Sequence, residues 1–101
     1  MPYRYITKPR ASRKIWSFYR NVAEKYRHTY AEDDMVNNIR STIHSISLIE
    51  KTLPRRKPSL QRWKEYHMTK ADKWYFAYTI EEDTIVVHDA CHAQNMHEEQ
   101  E

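Results

Sequence analysis

Hydrophobic residues recur at two different spacings in the first half of the chain. Tyrosines alternate with other residues in the segment 2–7, and this period of two predicts a short first strand. Apolar residues then return every three or four positions, which predicts a first helix over about residues 9–27 and a second helix that runs to about Lys51. Thr29 and Glu32 match a capping box, so we expect the second helix to begin beside them. The two helices are expected to form a hairpin.

Strand-forming residues dominate the second half of the chain. Residues 59–68 mix aromatic and basic side chains and predict a second strand, which the segment 69–72 turns into a hairpin. Residues 74–80 and 84–87 are aromatic and β-branched and flank the polar break 81–83. They predict an antiparallel pair of strands.

The predicted order of strand, helix, helix and three strands (β-α-α-β-β-β) defines an α+β fold. Each helix has a single apolar stripe, so we expect the helical hairpin to cover one face of a small, mainly antiparallel sheet. The bulkier residues of the third strand should meet the helices: Trp74, Phe76, Tyr78 and Ile80. Tyr75 then lies on the open face. A length of 101 residues indicates one domain, expected over residues 1–97, before an acidic tail over 98–101 that we expect to be disordered.

Glycine is absent from the chain. Its absence excludes the glycine-rich phosphate loop, the dinucleotide fingerprint and the glycine nucleophile elbow, because each needs backbone geometry that glycine adopts most readily. We therefore expect no cofactor. A single cysteine and an N-terminus without the apolar segment of a secretory signal indicate a reduced, cytoplasmic protein. No apolar run approaches the roughly 18 residues of a membrane span.

Charge is distributed unevenly along the chain. Residues 1–70 carry 16 Lys/Arg against 6 Asp/Glu, whereas residues 71–101 carry 1 against 8. A basic body suits a polyanion such as nucleic acid, although a solvated charged surface is the alternative. The expected nucleic-acid contacts are Arg55, Arg56, Lys57, Arg62, Tyr66 and His97.

Proton carriers and amides crowd the end of the last strand, where the chain reads HDACHAQNMH from His88 to His97. Histidine changes its charge near neutral pH, so this segment is the first place to look for chemistry. A zinc site is disfavoured because His88 and Cys91 of a regular strand point to opposite faces. For Cys91 we expect a buried thiol, and for the polar residues the alternative role is to cap the strand.

The stretch WYFAYTIEEDTIVV, followed by a histidine-bearing strand end, resembles the RelE/ParE superfamily of bacterial type II toxin–antitoxin toxins. The likeness covers nearly the whole chain and is strongest from Trp63 to His97. Trp63-Lys64 and Ala90-Cys91-His92 are similar to the YoeB-like branch. The resemblance implies a small cytoplasmic toxin that a cognate antitoxin protein holds inactive. Members either cleave mRNA within the ribosome or poison DNA gyrase.

The resemblance also implies roles for individual residues. Lys64 matches a basic residue that contacts or polarises the scissile phosphate, and His92 stands where the family keeps a residue for acid or transition-state roles. Tyr75 and Gln94 stand where nuclease members usually have arginines. The missing charge must come from elsewhere, such as Arg62, or the nuclease mechanism is lost.

Our leading hypothesis is metal-independent cleavage of mRNA on the ribosome, which needs a base, an acid and a group that stabilises the phosphate. The expected catalytic group comprises Lys64, Tyr75, His92, Gln94 and Asn95. Tyr66 or Tyr75 is expected to stack on a base. The alternatives are a non-enzymatic gyrase inhibitor, favoured by the missing arginines, and a plain nucleic-acid-binding domain.

Overall fold

The computed structural model describes residues 3–26, 32–52 and 63–95. Two helices are present in these ranges, α1 (Pro9–Lys25) and α2 (Glu32–Ile46). Four strands form one sheet: β1 (Arg4–Thr7), β2 (His67–Ala71), β3 (Trp74–Glu81) and β4 (Thr84–His92). Short 3-10 turns follow α2 at Ile49–Thr52 and β4 at Ala93–Asn95.

The strands lie in the order β1-β4-β3-β2. β1 pairs with β4 in parallel, while the β2–β3 and β3–β4 pairs are antiparallel. The predicted α+β class and the predicted order of elements are confirmed for the described residues. The acidic segment 98–101 lies outside them.

The second strand begins later than its sequence predicts. β2 covers His67–Ala71, whereas residues 63–66 form a turn and residues 59–62 lie outside the described ranges. The hairpin turn is therefore only Asp72 and Lys73, and Asp72 takes a φ of 58°, a left-handed conformation that aspartate tolerates better than most residues. Pairing with β3 therefore extends β2 over residues 69–71, which the sequence predicted to form a turn.

The second helix is shorter than its hydrophobic stripe. It ends at Ile46 rather than near Lys51, and the chain continues into a 3-10 turn. The Ser45 hydroxyl donates to the Thr42 carbonyl at 2.6 Å, and the Ser47 hydroxyl donates to the His44 carbonyl at 2.7 Å. Such bonds compete with helical backbone pairing. Thr29 of the capping box lies outside the described residues.

The main core lies between the helices and one face of the sheet, as predicted. Its largest buried side chains come from both layers: Ile15, Tyr19, Ile49, Trp74, Phe76, Tyr78, Ile85 and Val87. The apolar spacing that predicts α1 includes Tyr26, but this side chain is 50% exposed. The spacing that predicts α2 likewise includes Val36 and Ile43, which are also exposed, as is Ile80 near the end of β3. Ile39 and Ile46 are the residues of α2 that belong to the buried hydrophobic core among the described residues.

β4 contains a bulge at His88. Tyr78 pairs with Val87, but its neighbour Ala77 pairs with Asp89, so His88 has no opposite residue. The extra residue reverses the alternation of side chains beyond this point. His88, Asp89 and Cys91 consequently share the open face, contrary to the expectation that His88 and Cys91 oppose each other.

A second, smaller cluster lies on the open face. It contains Trp63, Met68, Ala77 and Cys91, with Tyr66 and Tyr75 packed against it. The Trp63 indole N–H donates to Asp89 Oδ2 at 2.9 Å, and Lys14 Nζ lies 3.4 Å from Asp89 Oδ1. The Cys91 thiol is buried, as expected. This cluster fixes the turn that precedes β2 against the sheet.

Candidate functional site

The residues expected to form one catalytic surface lie on two. Tyr75 pairs with Cys91 and packs on the open face, whereas His92 pairs with Trp74 and contacts the side chains of the covered face. Lys64 is exposed in the turn between Trp63 and Tyr66, both of which pack on the open face. Lys64, Tyr75 and His92 of the expected catalytic group therefore do not share one surface, because the bulge moves His92 to the other face.

The other predicted site residues divide in the same way. Tyr66 lies on the open face, and Gln94 and Asn95 follow His92 in the terminal 3-10 turn. Five expected contacts lie outside the described residues: Arg55, Arg56, Lys57, Arg62 and His97.

On the open face, the bulge residue His88 has the most distinctive surroundings. Its ring stacks on Tyr66 with centroids 4.6 Å apart and planes 10° apart, and its Nε2 lies 2.9 Å from the Thr79 hydroxyl oxygen. Burial lowers the pKa of His88 below 6.5, and the charge of Lys8 lowers it further, while Glu81 opposes the shift. A neutral imidazole near physiological pH can accept a proton.

The hydrogen bonds around Thr79 indicate which His88 nitrogen carries the proton. When the Thr79 hydroxyl donates to Glu81 Oε2, 3.3 Å away, its oxygen is left to accept from His88 Nε2–H at 2.9 Å. In this arrangement Nδ1 is the unprotonated nitrogen of a neutral ring. The hydrogen-bond chain from Glu81 through Thr79 to His88 thus orients the imidazole, in the way that a carboxylate orients histidine in catalytic triads.

The covered-face histidine is placed differently. The His92 ring stacks on Phe18 with centroids 4.2 Å apart, meets the edge of Trp74 at 5.3 Å, and accepts the Gln94 backbone N–H at Nδ1 over 3.0 Å. Burial lowers its pKa below 6.5, Lys73 adds to the shift, and Asp72 opposes it. Because Nδ1 already accepts a hydrogen bond, the neutral ring carries its proton on Nε2 and serves as a donor rather than a base.

A cavity of about 510 Å³ opens beside His92, between the C-terminal end of α1, α2 and the end of β4. Its polar lining includes Lys25, Asn38, Lys73, His92, Gln94 and Asn95. No acidic residue is among the described residues that line it. This cavity, which we call the sheet-end groove, brings together three of the predicted site residues without Lys64 or Tyr75.

Several residues of these sites had no role assigned from sequence. A histidine between a valine run and Asp89 is a visible signal for His88, but its position in a bulge depends on pairing with β3. Lys25, Asn38 and Lys73 reach the sheet-end groove from three different elements, which no local pattern indicates.

The described residues hold no cluster of three or more His, Cys, Asp or Glu arranged to bind a metal ion. Within the same ranges, neither helix combines the length and the apolar character needed to cross a bilayer. Comparisons of the chain with family models, curated proteins and solved structures find no match.

Proposed function

We propose that this chain is the toxin of a type II toxin–antitoxin pair and a ribosome-dependent mRNA endoribonuclease whose base is His88. The order of helices and strands and the resemblance of the second half to RelE/ParE toxins support the first part. The observation that carries the second is the orientation of His88 by Thr79 and Glu81 on the open face.

The open face has the groups that such a reaction uses. Tyr66 and Tyr75 are half-buried aromatic side chains that provide surfaces for stacking of bases. The positive charge of Lys8 acts on His88, and a phosphate bound beside His88 would be attracted by the same charge. Lys64 is exposed in the adjoining turn, where its charge would attract the RNA backbone.

In the proposed reaction, His88 Nδ1 takes the proton of a ribose 2′-hydroxyl. The 2′-oxygen attacks phosphorus, and the new bond forms as the bond from phosphorus to the 5′-oxygen breaks. The leaving 5′-oxygen takes a proton from water, and the imidazolium returns its proton to the solvent. The products are a 2′,3′-cyclic phosphate and a 5′-hydroxyl, so no redox agent or metal is required.

The cognate antitoxin is proposed to bind the outer surface of the helices. Trp16 and Ile43 are 43% and 52% exposed there and line a groove with Val36 and Arg40. α1 carries five basic residues and one acidic residue. An amphipathic segment of the antitoxin with acidic flanks matches both the apolar groove and the charge around it.

Inducible expression of His88→Ala tests the nuclease assignment. We expect mRNA cleavage on ribosomes to fall about 100-fold or more, because a positioned base contributes at least that factor. The matched control is His44→Ala on the exposed side of α2, which should cleave like the parent chain. Co-expression with a cognate antitoxin should restore growth of the cells that express the parent chain. Full cleavage by His88→Ala, or equal loss in both variants, would exclude His88 as the base.

A non-enzymatic gyrase inhibitor is the second candidate. It is favoured by the separation of Tyr75 from His92, since the arrangement implied by the nuclease branch is not reproduced. For this candidate, induction should produce gyrase-linked DNA breaks without new mRNA ends, and His88→Ala should arrest growth as well as the parent does.

A further inference from the structure

The sheet-end groove has the composition of a site for a phosphorylated ligand. Lys25 supplies a positive charge from the end of α1 and Lys73 supplies one from the β2–β3 turn, and no described lining residue is acidic. Phosphate groups bind where lysine ammonium groups converge and carboxylates are absent. Asp72 is close enough to influence His92, but it is not part of the lining.

His92 adds a fixed hydrogen-bond donor to this charge. Its ring is held between Phe18 and Trp74, and its Nδ1 is occupied by the Gln94 backbone N–H. Nε2–H is therefore the group left to meet a ligand. A donor already locked by packing loses little conformational entropy when a ligand binds.

The remaining lining suits a nucleobase rather than a simple anion. Gln94 and Asn95 carry amide groups that can both donate and accept, which match the mixed donor and acceptor edges of bases, and Asn38 lies in the same lining. Tyr26 is 50% exposed at the same groove, and the Lys25 ammonium lies 5.5 Å from the centroid of its ring. A volume of about 510 Å³ lies within the range of small-molecule sites.

We propose that the sheet-end groove binds a nucleotide through its terminal phosphate and its base. The phosphate lies between Lys25 and Lys73, and the amide groups read the base edge. Recognition uses side chains, so it needs none of the glycine-rich loops that the chain lacks. The ligand is either a free mononucleotide or the phosphorylated end of an RNA strand, which share this chemistry.

Titration of the full chain with 5′-AMP, followed by ¹H–¹⁵N NMR, tests the proposal. Saturable shifts are expected at His92, Gln94 and Asn38, and neither inorganic phosphate nor adenosine at the same concentration should reproduce them. A 5′-phosphorylated oligoribonucleotide that binds more tightly than 5′-AMP identifies a strand end as the ligand, whereas equal binding identifies the mononucleotide. Absence of saturable shifts at these residues at millimolar 5′-AMP would overturn the proposal.

Matched lysine variants separate specific binding from general charge attraction. Lys73→Gln and Lys25→Gln should each weaken 5′-AMP binding about tenfold, since a hydrogen bond to a charged group has about that effect. Lys51→Gln removes the same charge from an exposed position outside the groove and should leave binding unchanged. Equal weakening by all three variants would contradict the proposal.

This site stands apart from the proposed nuclease base, which lies on the other face of the sheet. His88→Ala should bind 5′-AMP like the parent chain. Failure of RNA cleavage with intact 5′-AMP binding would therefore refute the proposed function alone, and the reverse result would refute the groove alone.

Discussion

The two faces of the sheet use the same strands for different purposes. On the covered face, Trp74, Phe76 and Tyr78 are 1% exposed or less and pack under both helices. On the open face, the alternating residues Tyr75 and Thr79 are half-buried. Burial of large aromatic side chains stabilises the first face, while the second retains polar atoms that solvent and ligands can reach.

The bulge at His88 determines which groups each face presents. His88 and His92 are four residues apart, so a regular strand would place both on one face. The extra residue separates them, and their hydrogen bonds then differ: His88 meets a hydroxyl at Nε2, whereas His92 accepts a backbone N–H at Nδ1. The two imidazoles therefore use different ring nitrogens for their hydrogen bonds within the protein.

Single-residue deletions in β4 give the largest expected effect. Deletion of His88 leaves Val87 and Asp89 in consecutive, regular register with β3, so we expect a loss in unfolding free energy of less than about 1 kcal/mol. Deletion of Val87 instead moves the polar His88 into the covered core, with an expected loss of at least about 3 kcal/mol. Urea denaturation measures both. Equal losses would show that the bulge does not separate the faces.

Asp89 contacts the open-face cluster through Trp63, and we expect its replacement to cause the second-largest loss in unfolding free energy. Asp89→Ala leaves the buried Trp63 indole N–H and Lys14 without this partner, at an expected cost of about 2–4 kcal/mol in unfolding free energy. Asp83→Ala is the control, because its ion pair with Arg4 is exposed and 3.8 Å long. We expect less than about 0.5 kcal/mol for that pair. Similar losses in both variants would mean that the open face has no structured cluster.

The two histidines give the smallest effect, through pH. The pKa of each histidine is lowered below 6.5 in the folded protein, so folding favours the neutral imidazole. The stability that the neutral rings contribute is therefore fully present above pH 6.5 and is lost as the pH falls through the lowered pKa values. His88→Gln and His92→Gln should each flatten the dependence of unfolding free energy on pH in this window. Since the rings lie on opposite faces, the two effects should add in the double variant to within about 0.5 kcal/mol. A larger coupling would indicate one shared site.

Local patterns in the chain were sufficient to predict most elements and their layers. The spacing of apolar residues predicted α1, and the alternation in β3 predicted that Trp74, Phe76 and Tyr78 meet the helices while Tyr75 does not. The period of side chains is set within each element by backbone geometry, so sequence alone carries it.

Strand boundaries depend on pairing with residues that are distant in sequence. β2 lies closer to the hairpin turn than its sequence predicts because residues 67–71 pair with the backbone of β3, and β4 extends to His92 because it also pairs with β3. The bulge that separates His88 from His92 exists only as a mismatch between two strands, which neither strand encodes alone. The sheet-end groove likewise needs Lys25, Asn38 and Lys73, which come from three separate parts of the chain. The sequence therefore determines which side chains are present, and only the tertiary structure determines which of them lie together in a site.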